Sequence, residues 1–231
     1  MARPVSRRPV VAVAHRGDPY RRRENTLASI RSAVARGAGA VETDVRLTGD
    51  GVPVLLHDSS LERLWGHPRQ LGDITAAEVA EVTGGGVPTL RDALLGTDCR
   101  LQLDLPGATP AAVRTIAGVV RDCGAGERVY WTGAPSTMLA VRALDPSAEI
   151  AMTWKTVVPP LPSLLAAVRP RWVNYRFALA TPEVVARGHR DGVLVSAWTV
   201  DTARTMRRLV RSGIDAVTTN RIDVLVRLLA G

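Results

Sequence analysis

The sequence predicts an α/β protein of the (β/α)8 TIM-type barrel class, and three observations carry that prediction. The chain has 231 residues, a length that suits one such barrel. Short apolar runs of buried-strand type alternate with helical patterns from end to end, the signature of a parallel sheet joined by crossover helices. The composition is 46% hydrophobic and only 4% aromatic. That is enough Val, Leu, Ile and Ala to build a core that folds alone.

Val10 to Ala14 opens the series of strands, and Ala40 to Val45 is the second run. The third, Val52 to Leu56, follows across only Thr48-Gly49-Asp50-Gly51. A turn that short permits antiparallel pairing alone, because a parallel return needs a dozen residues or more. The third run is therefore the return arm of a small antiparallel hairpin after strand two. A two-residue turn at Gly49-Asp50 would set Glu42 opposite His57, and one at Asp50-Gly51 would set Asp44 there. Leu101 to Leu105, Val129 to Thr132, Glu149 to Trp154, Trp172 to Tyr175, Val193 to Trp198 and Ile214 to Thr218 complete the set. Eight strands then remain for the barrel; a doubly wound open sheet is the alternative arrangement of the same elements.

Helix ends are legible between the strands. Thr109-Pro110 and Thr181-Pro182 each pair an N-cap with a proline at the first helical position, Asp201 is a candidate cap for the next helix, and Gly213 is its stop. Gly84-Gly85-Gly86 is a loop. With no internal repeat and no linker, residues 1–231 are expected to form one domain.

The formal net charge is +8, and Lys155 is the only lysine among the 30 basic residues. Blocks such as Arg21, Arg22 and Arg23 suit a nucleic-acid backbone or an anionic membrane surface, but no binding motif accompanies them and no nucleic-acid partner is expected. Arg3, Arg7 and Arg8 precede an apolar run too short for a signal segment or a membrane span. Cys99 and Cys123 are expected to be reduced and buried. A cytoplasmic protein without a transmembrane segment is the expectation; the oligomeric state is not legible.

Glu42 and Asp44 stand two apart on a strand, so they share a face. Two carboxylates do not pack unpaired in an apolar interior, and a hard cation such as Mg²⁺ or Ca²⁺ is their economical partner; pairing of each with an arginine is the alternative. Asp104, on the next barrel strand, is a third acid. His15 and His57 each end an apolar run, where barrel enzymes place catalytic groups, and suit one general base and one general acid. Arg16, beside His15, would neutralise further charge. Cation, arginine and two proton carriers are what phosphodiester cleavage needs. Asp58 is placed to orient His57, Asn25 to hydrogen-bond a site group, and Glu24 to organise the first loop. His67 and His189 fall outside the pattern and are expected to be solvated.

The order and spacing of His15-Arg16-Gly17, Glu24-Asn25-Thr26, Glu42-Thr43-Asp44-Val45, Asp50-Gly51 and His57-Asp58 resemble the glycerophosphodiester phosphodiesterases. So do Leu61-Glu62-Arg63, Pro88-Thr89-Leu90, Ala197-Trp198-Thr199-Val200 and Thr218-Thr219-Asn220. The resemblance implies a barrel in which His15 and His57 are catalytic. It further implies that Glu42, Asp44 and a third acid hold a divalent metal, and that Arg16 and Trp198 line the substrate site. Where that family usually carries a glutamate followed two positions later by a lysine, this chain has Asp104 and Pro106. Lys155, just past the strand ending at Trp154, is a candidate to supply the missing charge to the substrate phosphate, with Arg176 as a substitute.

The expected reaction is hydrolysis of a small glycerophosphodiester to an alcohol and glycerol phosphate. A lysophospholipase D-type activity on lipid diesters is one alternative. It requires apolar surface near the mouth, and Ser59 to Val87 offers little. A non-catalytic phosphate-binding barrel is the other.

Overall fold

The strand β1 (Val11–His15) leads through α1 (Leu27–Ala35) into the long strand β2 (Ala40–Leu47), which turns back as β3 (Pro53–Leu55). An excursion of β4 (Ser60–Leu61), α2 (Glu62–Trp65), β5 (His67–Gln70) and α3 (Ala76–Thr83) precedes α4 (Leu90–Gly96). From there strand and helix alternate: β6 (Leu101–Asp104), α5 (Pro110–Asp122), β7 (Val129–Gly133), α6 (Pro135–Leu144), β8 (Ile150–Trp154) and α7 (Pro162–Val168). The remainder is β9 (Trp172–Arg176), α8 (Pro182–Arg190), β10 (Leu194–Trp198), α9 (Ala203–Arg211), β11 (Ala216–Thr219) and α10 (Ile222–Ala230). This computed structural model describes residues 9–231; Arg3, Arg7 and Arg8 lie outside the described residues.

Threonine starts many of the helices. The side chains of Thr26, Thr109, Thr181 and Thr202 each accept the backbone N–H three residues on, and Thr75 and Thr89 form reciprocal capping boxes with Glu78 and Asp92. Each such cap satisfies orphan donors and contributes about 1 kcal/mol. The cap of α9 is Thr202; Asp201, the expected one, is used elsewhere.

The sheet closes. β1 pairs in parallel with both β2 and β11, and every intervening neighbour in the order β11, β10, β9, β8, β7, β6, β2 is also parallel. Closure excludes the open doubly wound alternative. β3 is antiparallel to β2, as the short connection requires, but its register is neither of the two expected. Val45 lies opposite Leu55 and Leu47 opposite Pro53, and Thr48 donates its N–H to the Val52 carbonyl at 3.0 Å. The turn is thus three residues, with Gly51 at φ +79, a conformation glycine adopts at no steric cost. This odd count sets neither carboxylate opposite His57, which lies beyond the end of β3.

Helices cover the barrel with one continuous apolar cluster. Inside, Val13, Ala40, Ala151 and Ala216 form a layer of small side chains closed by Tyr130 and Trp172. Two residues further along each strand the inward positions turn polar, with Glu42, Thr132, Asn174, Ser196 and Thr218 all buried. The two-residue strand period therefore separates a packed lower half from a polar upper half. The β4–α3 excursion carries its own cluster of Val54, Leu56, Leu61, Leu71, Ile74, Val79 and Val87.

His67 departs from expectation: it stands on β5 with Nδ1 buried and unpartnered. His189 is on α8, partly exposed, and its Nε2 lies 2.8 Å from Asp215. Cys99 and Cys123 are free thiols but only half-buried. Among the described residues, no helix is long and apolar enough to cross a membrane.

Candidate active site

Parallel register brings the acids together. His15 on β1 is level with Glu42 on β2, and Asp44 is level with Asp104 on β6. Glu42 and Asp44 are 5% and 2% exposed. One ligand oxygen from each of Glu42, Asp44 and Asp104 lies within 4.8 Å of the others. They stand in a pocket of about 600 Å³ at the C-terminal mouth of the barrel, whose wall includes all eight expected site residues: His15, Arg16, Glu42, Asp44, His57, Asp104, Lys155 and Trp198.

So close a set of buried carboxylates resists ionisation. Burial first, then the charges of Asp44 and Asp104, pushes the Glu42 carboxyl well above the usual range. Burial and then Asp44 push Asp104 up to about 7. Arg16 offsets part of this, since its Nε is 3.1 Å from Asp44 and its backbone N–H donates to Glu42 Oε2 at 3.0 Å. Arginine pairing of each acid is not what the structure holds: among the described residues, Glu42 and Asp104 have no arginine salt bridge. Three oxygen donors in one converging cluster, short of positive charge, fit a hard divalent cation.

The chain bends sharply to aim Arg16. Arg16 sits at φ +57 and Gly17 at φ +90. A Cβ on Gly17 would stand 2.3 Å from Ser29 Oγ and 2.6 Å from the Ser29 carbonyl carbon, so only glycine fits. Asn25, at φ +56, closes the same loop. Its Nδ2 donates to Asp44 Oδ2 at 2.9 Å, and the Asp44 N–H donates back to its Oδ1 at 3.2 Å.

Each histidine has an orienting partner. Asn220 Nδ2 donates to Asp201 Oδ2 at 2.8 Å, and the Asn220 backbone N–H donates to Asp201 Oδ1 at 2.8 Å. That turns Asn220 Oδ1 toward His15 Nδ1, 2.7 Å away. Nδ1 therefore carries the proton, and Nε2, 3.9 Å from Glu42, keeps its lone pair. Burial, then the neighbouring Arg16, lowers the His15 pKa and favours this neutral form. His57 Nδ1 lies 2.7 Å from Asp58 Oδ1, and Asp58 Oδ2 accepts from Arg63 Nε at 2.5 Å. Arg63 also donates to Glu24 at 2.6 Å, and Glu24 accepts Arg16 Nη1 at 2.8 Å. Burial opposes the Glu24 charge, but hydrogen bonds from Arg63 and Arg16 overcome it and hold the carboxyl below its usual range. A run of alternating charges thus joins His57 to Asp44.

Trp198 ends β10 in the pocket wall, its Nε1 buried without a partner. Lys155 and Pro106 both line the pocket, and the Lys155 charge works against the rise in Asp104. Arg176 is exposed at the end of β9 and is not part of the wall. Sequence reasoning missed Asn220, Asp201 and Arg63. Asn220 and Arg63 lie inside the motifs Thr218-Thr219-Asn220 and Leu61-Glu62-Arg63, which was their only signal, and Asp201 resembled a helix cap.

The model of the glycerophosphoryl diester phosphodiesterase family matches residues 15–224. A glycerophosphodiester phosphodiesterase from Caldanaerobacter subterraneus subsp. tengcongensis is 26% identical over 95% of this chain and 97% of its own length. A Mycobacterium tuberculosis relative is 30% identical over 93% of this chain and 89% of its own. Among solved structures, the glycerophosphodiester phosphodiesterase of Thermotoga maritima superposes with a TM-score of 0.82 at 23% identity, over 95% of this chain and 98% of that one. An Oleispira antarctica phosphodiesterase, solved with the product sn-glycerol-3-phosphate, superposes at 0.82 with 22% identity, over 96% and 97%. These structures share the barrel, and the sequence match runs from the first candidate histidine to the last helix: the chain belongs to the glycerophosphoryl diester phosphodiesterase family.

Proposed function

We propose that the protein, acting as one barrel domain, hydrolyses small glycerophosphodiesters to an alcohol and glycerol phosphate. The observation that carries this reading is the three-carboxylate cluster lying in one pocket with both histidines. Glu42, Asp44 and Asp104 would hold a divalent cation, Mg²⁺ or Ca²⁺, which when bound supplies positive charge to a non-bridging phosphate oxygen. Arg16 adds fixed charge beside the cluster.

His15 is the general base. Asn220 holds its proton on Nδ1, and burial keeps it neutral, so Nε2 accepts a proton from the nucleophile. His57 is the general acid: the Asp58 carboxylate engages Nδ1 and orients the ring, leaving Nε2 as the nitrogen that gives a proton to the leaving oxygen. The same base serves a water molecule or the glycerol hydroxyl next to the phosphate. Trp198 forms part of the wall against which the substrate lies, and Lys155 takes the place of the lysine replaced by Pro106.

The test is release of glycerol phosphate from glycerophosphocholine, with and without EDTA, beside Mg²⁺ and Ca²⁺ titrations of Glu42→Gln, Asp44→Asn and Asp104→Asn. Loss of turnover in EDTA and weaker metal binding in all three variants are expected. Phosphate binding with no turnover of this substrate or of bis(p-nitrophenyl) phosphate would instead assign a non-catalytic barrel.

A further inference from the structure

Among the described residues, the most exposed large apolar side chains gather at the mouth. Five stand more than 60% exposed among the described residues: Tyr20, Leu95, Val157, Val158 and Leu161. All but Leu95 are on loops at the C-terminal face. Val157, Val158 and Leu161 fall within five residues of the β8–α7 loop, and Phe177, 37% exposed, follows β9, the strand paired with β8. The loop is not slack. Trp154 Nε1 and Thr156 Oγ1 both donate to the Val158 carbonyl, at 2.6 and 3.1 Å, and Pro159-Pro160 stiffens the approach to α7. Its valines are held outward although a packed arrangement would remove their apolar surface from water.

Charge on the flanking loops has one sign. In the segments 16–26, 155–161 and 176–181 every exposed charge is positive: Arg21, Arg22, Arg23, Lys155 and Arg176. The two acids there are turned inward, Asp18 to Arg36 at 2.7 Å and Glu24 to Arg16 and Arg63. In the closed order of strands, β1 and β8 are diametrically opposite. The apolar ridge and the Tyr20–Arg23 segment therefore flank the pocket from two sides.

From this we infer that the mouth docks on an anionic lipid surface, with the β8–α7 ridge entering the interface and the arginines meeting head-group phosphates. Apolar insertion beside a basic patch is the combination that binds such surfaces, the basic residues being drawn to an anionic leaflet. The pocket would then open onto head-group diesters that retain an acyl chain; that consequence rests on the hydrolase reading, whereas docking does not.

Sedimentation with vesicles of phosphatidylcholine containing about one third phosphatidylglycerol tests it. The intact protein is expected to bind these and not pure phosphatidylcholine vesicles, and to be released by salt. Val157→Ser/Val158→Ser/Leu161→Ser and Arg21→Gln/Arg22→Gln/Arg23→Gln should each lower the bound fraction at least fivefold. Glycerophosphocholine turnover by the first variant, whose three replaced residues are not in the pocket wall and whose Val158 contacts to it run through the backbone carbonyl, should stay unchanged. Failure of the intact protein to bind, equal binding to neutral vesicles, or full binding by either variant would overturn the inference. So would a dimer in solution that the serine variant converts to monomer, which would assign the ridge to a second copy of the chain.

Discussion

His15 and His57 differ in what holds them, and that difference sets what each can do. Burial and then Arg16 favour the neutral form of His15, whose Nδ1 proton is held on the Asn220 amide oxygen, while His57 turns the same atom to the Asp58 carboxylate. His15→Ala and His57→Ala are each expected to lower kcat by roughly 10²-fold or more with the fold retained, as loss of a general base or acid does; near-full activity in either would end the two-histidine mechanism. Asp104 makes a separate prediction for metal-free protein. Its folded pKa of about 7 lies above that of an unfolded aspartate, which is about 3.9. Below the lower value both states carry the proton. Between the two, the folded state keeps a proton the unfolded chain has lost, so stability falls as pH rises through this window. In EDTA the melting temperature should therefore drop between about pH 4 and 7. Asp104→Asn should flatten that drop, and Mg²⁺ or Ca²⁺ should reverse it most at high pH. A melting temperature that rises with pH over this window in the wild type would refute the assignment.

Elements outside the barrel shape the site as much as the strands do. The β4–α3 excursion packs its own small core, and that core fixes Arg63 between Asp58 and Glu24. Glu24 and Asp58 hold Arg63 firmly charged, Glu24 first. Arg63→Met is expected to lower kcat about tenfold by loosening Asp58 behind His57, while Mg²⁺ affinity stays unchanged. Arg63→Lys should restore part of the loss. Wild-type turnover in the methionine variant would show that His57 needs no such brace.

At the scale of the whole molecule, closure brings residues of distant strands to one pocket. Pro106 stands in the pocket wall after β6, and Lys155 reaches the same pocket from the end of β8. Lys155→Met should raise KM or lower kcat for a diester with metal affinity unchanged. Arg100→Met serves as the control: Arg100 precedes β6 at the opposite face, paired with Glu149 at 2.5 Å and stacked over Tyr130. If the two variants behaved alike in the diester assay, compensation by Lys155 would be abandoned and Arg16 would remain the substrate cation.

Sequence by itself determined the barrel strands, the hairpin and the shared face of Glu42 and Asp44, because each depends on local pattern. A run of Val and Leu declares a buried strand, a four-residue link forbids parallel return, and a two-residue spacing puts Glu42 and Asp44 on one face. Tertiary structure alone decided what depends on counts across space. The turn's third residue, invisible to periodicity, changed the register and left His57 opposite neither carboxylate. Asp201 looks like a helix cap in one dimension and becomes the clamp on Asn220 only once β11 lies beside β10. The apolar surface that Ser59 to Val87 does not offer lies instead on Val157, Val158 and Leu161, because exposure is set by what packs against a side chain and not by its hydrophobicity.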